Sequence, residues 1–221
     1  MTQEELTHLL DEHDKWHLDR SKGRKLELKN LNLKGFFIGS RDLFQAVLEN
    51  IDLSESDCKA VRMAYTNLKN VNFSRANLKK ADLNDCEMEN VDFTGANLEE
   101  AEMMSFVIAK HLKFDDAKMN KASFIKSSMD FVSFKNALLR EANFRRAHIN
   151  DSSFENADCS NAEFTYATLK DCVVTGAIIE GADFSDVRHL PEEWKQAIGW
   201  HSAEQQNIRR IKEMLREEGL R

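Results

Sequence analysis

A large apolar residue recurs every five positions along most of this chain, and no other feature of the sequence constrains the fold as tightly. Steps of five from Leu28 reach an apolar residue each time to Ile108, and after a shift of one residue the series resumes from Phe114 to Phe184. The series contains 32 five-residue units. This period matches neither an α-helix nor a flat strand, and it fits a chain that turns a corner every five residues. Such a unit cannot bury its own apolar face, so we expect the units to stack into a solenoid.

Small or β-branched residues two positions before the apolar ones complete a motif. Clear examples are Ala76-Asn77-Leu78, Ala81-Asp82-Leu83, Val91-Asp92-Phe93, Ala96-Asn97-Leu98, Ala142-Asn143-Phe144 and Ala182-Asp183-Phe184. In these runs the chain resembles the pentapeptide repeat proteins, and the resemblance covers about three quarters of the sequence. It implies an all-β solenoid, a right-handed quadrilateral β-helix of about eight coils with four pentapeptides each, closed by short α-helical caps at both ends.

Residue size also repeats with the coil. When the apolar residues are assigned in turn to four faces, every central phenylalanine falls into one of two opposed columns. The first column contains Phe73, Phe93, Phe114, Phe134 and Phe154, and the second contains Phe124, Phe144, Phe164 and Phe184. The intervening columns hold slimmer leucine, methionine and isoleucine side chains. This alternation predicts offset stacks of aromatic rings inside the rod.

Two corner features follow from the same count. Asn30, Asn50, Asn70 and Asn90 stand twenty residues apart, which predicts a ladder of side-chain amides with one rung per coil. His111 lies in the one-residue shift between Ile108 and Phe114, where we expect a β-bulge.

The two ends of the chain change character, as the ends of a solenoid must. We divide the chain into an N-terminal helical cap at 1–20, a repeat domain at 21–187 and a C-terminal helical cap or dimerisation segment at 188–221. Thr2 and Glu5 form a capping box for the first helix, whose apolar face is Leu6, Leu9, Leu10, His13 and Trp16. A brief helix opened by Pro191 carries Trp194 and Ile198. The helix after Ser202 presents Ile208, Ile211 and Leu215 as a candidate dimer contact or a lid on the last coil.

The sequence contains no motif typical of an enzyme, a cofactor site or a metal site. Cys58, Cys86, Cys159 and Cys172 all fall at inward positions, where cysteine acts as a compact apolar residue. His8, His13 and His17 share one helix, but no carboxylate or thiolate at a matching distance completes a set of zinc ligands. There is no nucleophile elbow and no glycine loop that cradles phosphate. We therefore expect a non-enzymatic protein without a cofactor.

Charge and hydropathy limit the possible partners. No apolar run approaches the roughly 18 residues that a membrane helix needs, and no signal peptide is evident, so we expect a cytoplasmic protein. The net charge is −7, and acidic and basic residues are interspersed. Without a basic stripe to neutralise phosphates, direct binding to nucleic acid is not expected.

Two functional hypotheses remain. The first is a rigid scaffold or protein–protein interaction module with an unidentified protein partner. The alternative, implied by the resemblance, is a DNA-mimicking protein that binds and protects a topoisomerase such as gyrase. Solvent-facing charges that alternate in sign, as in Lys29, Glu49, Lys69 and Glu89, weaken this alternative.

One face of the predicted rod favours the interaction hypothesis. Outward positions there carry apolar or aromatic residues where other faces carry mostly charge, and contiguous apolar side chains are typical of partner surfaces. The candidate partner surface consists of Phe44, Tyr65, Met104, Ile125 and Tyr166. Phe44 alternatively lies beneath the N-terminal cap.

Overall fold

A computed structural model describes residues 1–105 and 108–204 of the chain. One α-helix precedes eight short strands, and a 3₁₀-helix follows them. The elements are α1 Gln3–Leu18, β1 Glu27–Asn32, β2 Val47–Asp52, β3 Asn67–Asn72, β4 Glu87–Glu89, β5 Ile108–Lys110, β6 Ser128–Asp130, β7 His148–Asn150, β8 Thr168–Lys170 and the 3₁₀-helix Glu192–Gln196. No helix in this part of the chain is long and apolar enough to cross a membrane.

The strands form one parallel sheet in which each strand pairs with the next along the chain. Leu28 aligns with Leu48, and Leu48 aligns with Leu68, so one turn takes twenty residues in this half of the chain. Isolated parallel bridges follow the other three sides, as in Phe37 with Asp57 and Asp42 with Arg62. The protein is therefore a four-sided parallel β-solenoid with seven full turns between its first and last strand. The predicted solenoid with short helices at its ends is confirmed.

The corners of the solenoid depend on residues with left-handed backbone. Nearly every fifth residue has a positive φ, from Asn30 at 53° to Asp186 at 56°, and most of these residues are not glycine. With the residue after each corner the chain begins the next side of the solenoid, and its backbone there forms hydrogen bonds to the adjacent coil. Since L-residues adopt this conformation at a cost, each corner depends on the coils stacked above and below it.

The predicted phenylalanine columns form the centre of the rod. Along the first column, neighbouring rings from Phe73 to Phe154 stack with centroids 4.8–5.3 Å apart. Along the second column, rings from Phe124 to Phe184 stack at 4.7–4.9 Å. Rings of the two columns meet edge to face, as in Phe124 with Phe134 at 5.9 Å and 88°. Both arrangements are favourable for aromatic quadrupoles, so the core is held in a single packing.

The predicted asparagine ladder is also confirmed. The side-chain amide of Asn50 donates to Asn30 at 2.8 Å, Asn70 donates to Asn50 at 2.8 Å, and Asn90 donates to Asn70 at 3.1 Å. Each of these residues occupies a left-handed corner, a conformation that asparagine tolerates better than most residues. The ladder therefore stabilises one corner through four successive coils.

The structure corrects the position of the one-residue shift. Ala109, not Ile108, aligns with Met88 and Met129 and occupies the central position, while Ile108 aligns with the outward residue Glu87. The second register extends back from Phe114 to Ala109, so the extra residue lies between Met103 and Ala109. The sequence count favoured the bulkier isoleucine, but the flexible methionines of the adjoining coils suit a small neighbour.

The bulge predicted at His111 is therefore wrong. His111 is an ordinary corner residue with φ 56°, in the row that continues from Asn90 to Phe131. Its backbone N–H donates to the Asp130 carbonyl at 3.2 Å, as Asn90 donates to Lys110 at 3.1 Å. Its ring stacks on that of Phe131 at 5.3 Å, so a ring stack replaces the amide ladder at this corner.

Helix α1 covers the open end of the first coil. The predicted capping box is present, with Glu5 N–H donating to the Thr2 hydroxyl and Thr2 N–H donating to the Glu5 carboxylate. Leu6, Leu10 and His13 are buried, whereas Leu9 is partly exposed. The Gln3 side-chain amide accepts a hydrogen bond from Phe37 N–H at 2.9 Å and donates one to the Phe37 carbonyl at 2.8 Å. Gln3 thus satisfies backbone groups that a preceding coil would otherwise bind.

His13 joins the helix to the first strand. Its Nδ1 accepts a hydrogen bond from Leu26 N–H at 2.9 Å, which requires a neutral imidazole, and its ring stacks on Trp16 at 5.4 Å. Burial lowers the pKa of His13 below its ordinary value of 6.5. Asp42 of the first coil and Asp14 of the helix oppose this shift, and the nearby His17 adds to it.

The C-terminal end is filled by Trp194, which continues the first phenylalanine column. Its ring is fully buried and lies edge-on to Phe154, Phe164 and Phe184 at 5.1–5.5 Å. The prediction that Ile198 shares a helix with Trp194 is wrong, because Ile198 lies beyond the 3₁₀-helix, bridges to Ile178 and is exposed. Residues 200–204 are helical. The dimer contact predicted at Ile208, Ile211 and Leu215 lies outside the described residues and stays a prediction.

Truncation of Phe134 should reveal how much the core depends on its columns. Phe134→Ala leaves a cavity between the stacked rings of Phe114 and Phe154, and we expect it to lower the free energy of unfolding by about 3–5 kcal/mol. Lys135→Ala, one residue away but exposed and paired with Glu155, should change it by less than about 1 kcal/mol. Denaturant unfolding of both variants checks this, and equal losses would contradict the observed register.

The N-terminal cap should weaken in acid because of His13. Its folded-state pKa lies below the unfolded value, so the stability that it contributes is present near neutral pH and is lost as the pH falls below 6.5. Thermal melts at about pH 7.5 and about pH 5 should show a larger loss for the wild type than for His13→Gln, whose amide does not titrate here. His8→Gln, an exposed position on the same helix that does not act on His13, is the control and should keep the wild-type response. The same pH response in His13→Gln and the wild type would contradict the assignment.

Candidate partner surface

Two neighbouring rows of outward side chains run along one corner of the rod, and we call them together the corner strip. The first row follows the second phenylalanine column and consists of Phe44, Ala64, Asn84, Met104, Ile125, Arg145, Thr165 and Ser185. The second row consists of Gln45, Tyr65, Asp85, Ser105, Lys126, Arg146, Tyr166 and Asp186. All five residues of the candidate partner surface lie in this strip.

Backbone hydrogen bonds hold the two rows in register. From Gln45 to Tyr166, each second-row N–H donates to the first-row carbonyl one coil further on, as in Tyr65 to Asn84 at 3.0 Å and Lys126 to Arg145 at 3.0 Å. All second-row residues are left-handed, with φ between 55° and 61°. Because the same corner geometry repeats in every coil, it fixes where each side chain leaves the rod.

The N-terminal end of the strip is shared with helix α1. Phe44 is half-buried and meets the His17 ring edge to face at 5.0 Å. On its other side Phe44 meets the Tyr65 ring at 5.4 Å. Tyr65 itself is 55% exposed. The helix thus covers part of Phe44 and leaves Tyr65 as the accessible aromatic residue of this end.

The middle of the strip contains Met104 and Ile125, which occupy the same row in adjoining coils and are half-buried. Asn84 separates them from Phe44, since its side chain accepts from Met104 N–H at 2.7 Å and donates to Glu102 at 3.0 Å. The predicted surface is therefore two patches. One lies at Phe44 and Tyr65, and the other extends from Met104 towards Tyr166.

Three cations that the sequence analysis did not single out lie between Ile125 and Tyr166. Lys126, Arg145 and Arg146 are exposed, and among the described residues none has a carboxylate within 4.0 Å. The Arg146 guanidinium lies over the ring of Tyr166, 5.8 Å from its centroid, and Tyr166 is 49% exposed. Counting the second row from Tyr65 with the one-residue shift would have found Lys126 and Arg146 from the sequence.

Charges on the other sides of the rod are mostly paired along its axis. Lys29 binds Glu49 at 3.0 Å, and Lys69 binds Glu89 at 3.4 Å. Further pairs one coil apart are Lys79 with Glu99, Lys80 with Glu100, Lys121 with Glu141 and Lys135 with Glu155. These ladders pair many of the charges on the other sides, whereas Lys126, Arg145 and Arg146 lie unpaired next to one another in the corner strip.

Apolar exposure also occurs at a different corner. Phe131 is 54% exposed at this corner and stacks on His111, and Val173, two coils further on and two residues past the corner residue Asp171, is 51% exposed. Asp151 and Asp171 follow Phe131 in its row. This second corner offers a matched set of exposed apolar residues for comparison with the strip.

Three features of the described residues bear on metal binding and catalysis: acidic, histidine and cysteine clusters, grooves and thiols. No three or more histidine, cysteine or acidic side chains among them are arranged to hold a metal ion. A groove of about 630 Å³ at the C-terminal end is lined by Lys170–Thr175 and by residues of the 188–193 segment, including His189 and Glu193. The four thiols are buried and unpaired, and burial raises the pKa of Cys58, Cys86 and Cys172 to about 12. Burial likewise raises the pKa of Cys159, so none of the four is a thiolate near neutral pH.

Comparison with known families gives one strong match. A model of pentapeptide repeats matches eight copies in this chain, over residues 42–79, 72–105, 111–146 and 152–188. A search of the curated proteins finds no match.

Several solved structures are similar to this one at low identity. HetL, a pentapeptide repeat protein involved in heterocyst differentiation regulation in the cyanobacterium Nostoc, is 20% identical, with 81% of each chain covered and a TM-score of 0.39. A trypsin-treated variant of QnrB1, a plasmid-mediated fluoroquinolone resistance protein, is 18% identical, with 78% of each chain covered and a TM-score of 0.37. A pentapeptide repeat protein of the Arabidopsis thaliana thylakoid lumen is 19% identical over 55% of this chain and 87% of its own, with a TM-score of 0.23.

The buried thiols predict slow chemical modification. In the native protein we expect iodoacetamide to label none of the four cysteines over a time in which the denatured chain is labelled completely, since attack needs an exposed thiolate. Mass spectrometry of the intact protein before and after unfolding measures this. Rapid labelling of a native cysteine would contradict the inward assignment of that residue.

Proposed function

The chain belongs to the pentapeptide repeat family, and we propose that it is a non-enzymatic protein-interaction module that presents the corner strip to a protein partner. The observation that carries this proposal is the arrangement of Tyr65, Met104, Ile125 and Tyr166 in two adjacent rows along one corner. Tyrosine and large aliphatic residues contribute much of the energy of protein interfaces, and the stacked coils hold these side chains at fixed spacing.

A stiff scaffold supports such a role. The side chains of the strip project from corners whose backbone bonds to both adjoining coils, and the phenylalanine columns lie directly behind the first row. Because the backbone beneath these residues is already rigid, binding of a partner does not have to order it, and less conformational entropy is lost on binding. Side chains from several coils can then contribute to a single interface.

The DNA-mimicking alternative finds less support in the charge pattern. A duplex mimic needs continuous negative rows, whereas the acidic residues here alternate with lysines one coil away, as Glu49 does with Lys29 and Lys69. A supercoiling assay with gyrase and a quinolone discriminates the two functions. Protection at a stoichiometric ratio of this protein would favour the alternative.

Co-purification from the native host tests the proposed surface. We expect Tyr65→Ser with Tyr166→Ser to reduce recovery of the partner by about tenfold or more, since both residues are exposed and tyrosine is a frequent energetic hot spot. Phe131→Ser with Val173→Ser is the matched control, because it removes two exposed apolar side chains from the other corner and the side next to it. Circular dichroism should show both double variants folded.

The comparison between the two variants decides the outcome. Loss of the same bound protein only with the tyrosine variant supports the corner strip. Equal recovery with both variants contradicts the proposed surface, and loss only with the Phe131 and Val173 variant transfers the interface to that corner.

A further inference from the structure

The patch in the middle of the corner strip combines apolar and cationic side chains in an order that points to one kind of partner. We call it the central patch, and it consists of Met104, Ile125, Lys126, Arg145, Arg146 and Tyr166. Along the rod it begins with the two half-buried aliphatic residues, continues with the three cations and ends with the exposed tyrosine.

The cations of the central patch are free to bind an anion from outside. The row that precedes the second phenylalanine column includes Glu102 and Glu163, and their carboxylates accept hydrogen bonds from the Asn84 and Asn143 amides at 3.0 Å and 2.9 Å. Lys79 and Lys80, which follow their central residue in the same way as Arg145 and Arg146, are instead paired with Glu99 and Glu100. The positive charge at the central patch is therefore not neutralised by the described residues of the protein itself.

The orientation of Arg146 favours a planar anion. Its guanidinium lies over Tyr166, which restrains the long side chain beside an aromatic face. A guanidinium held in this way presents several N–H donors in a fixed fork, a geometry that matches a carboxylate. Arg145 and Lys126 add further donors on the adjacent positions of the strip.

The size of the patch matches a short extended segment. Met104 and Tyr166 are separated by three coil steps, which at ~4.8 Å per step is roughly 14 Å along the rod. An extended peptide advances ~3.4 Å per residue, so about four residues span this distance. A segment of that length places both an apolar side chain against Met104 and Ile125 and carboxylates against the three cations.

We propose that the central patch docks an extended acidic segment of the partner protein, with an apolar side chain on Met104 and Ile125 and carboxylates on Lys126, Arg145 and Arg146. This inference rests on the proposed function and names the chemistry of its partner. Charge complementarity selects an acidic segment, and the adjoining aliphatic residues select one that also carries an apolar anchor.

The surroundings of the patch disfavour nucleic acid as the occupant. Asp85 and Asp186 lie in the same row beyond either end of the cations, and the chain carries a net charge of −7. A phosphate backbone continued in either direction would meet these carboxylates. Nucleic-acid surfaces instead present a basic stripe that extends over many phosphates.

Binding of defined peptide pools to the full chain tests the proposal. Three fluorescein-labelled pools of equal length serve as probes: Asp, Glu and Leu at random; the same pool with Asn and Gln in place of the acids; and the acidic pool with Ser in place of Leu. Fluorescence anisotropy measures binding at low and at physiological salt. We expect the first pool to bind about tenfold more tightly than either of the others, and its affinity to fall with salt.

Each substitution in the central patch introduces a residue that already occurs elsewhere in the same row, so we expect the variant to fold. Lys126→Gln and Arg146→Gln copy Gln45, and Arg145→Thr copies Thr165. This triple variant should reduce binding of the acidic pool by about tenfold or more. Lys79→Gln, Lys80→Gln and Lys121→Gln remove the same charge from another side and should leave binding unchanged.

Several results would overturn the inference. These are equal binding of the acidic and amide pools, equal losses in the two triple variants, and an oligothymidylate that binds as tightly as the acidic pool. The proposed function fails separately, because it is measured by recovery of the partner. Partner recovery that survives the patch variant but is lost with Tyr65→Ser and Tyr166→Ser would reject the acidic segment and retain the corner strip.

Discussion

The left-handed corner is the constraint on which this structure depends. A non-glycine residue with φ near +55° costs on the order of 1 kcal/mol or more, and most corners here carry such a residue. One isolated coil cannot offset that cost. Stacking does, because each corner N–H, as at Lys126, then donates to a carbonyl of the next coil while the central side chain enters a close-packed column. Corners and columns are therefore stable only together.

This dependence explains why surface properties come in rows. Residues one coil apart occupy equivalent positions at the spacing of neighbouring strands, so their side chains interact along the rod. Three outcomes are visible: the amide ladder that begins at Asn30, the ion pairs such as Lys29 with Glu49, and the ring stack of His111 on Phe131. Where a row offers no charge partner among the described residues, as at Arg145, the side chain stays exposed.

The sequence predicts what repeats and misses what depends on a single register choice. The phenylalanine columns were predictable because ring size recurs every coil, and the corner asparagines because their side chains are identical. Ile108 was misplaced since two adjacent apolar residues both satisfied the count, and only pairing with Met88 resolves it. Because of that error, His111 was assigned to a bulge and not to a corner. The cations beside Tyr166 were missed because a salt bridge, or its absence, depends on neighbours one coil away.

The two ends of the rod bear on where a partner can bind. At the N-terminus Gln3 binds the N–H and carbonyl of Phe37, and α1 covers the first coil; at the C-terminal end of the rod Trp194 continues the first phenylalanine column and packs against Phe184. Both closures place side chains where a further coil would otherwise stack, which disfavours end-to-end growth. We therefore expect a partner to bind the sides of the rod. Of these sides, the corner strip, which we propose as the partner surface, combines exposed aromatic residues with cations that the described residues leave unpaired.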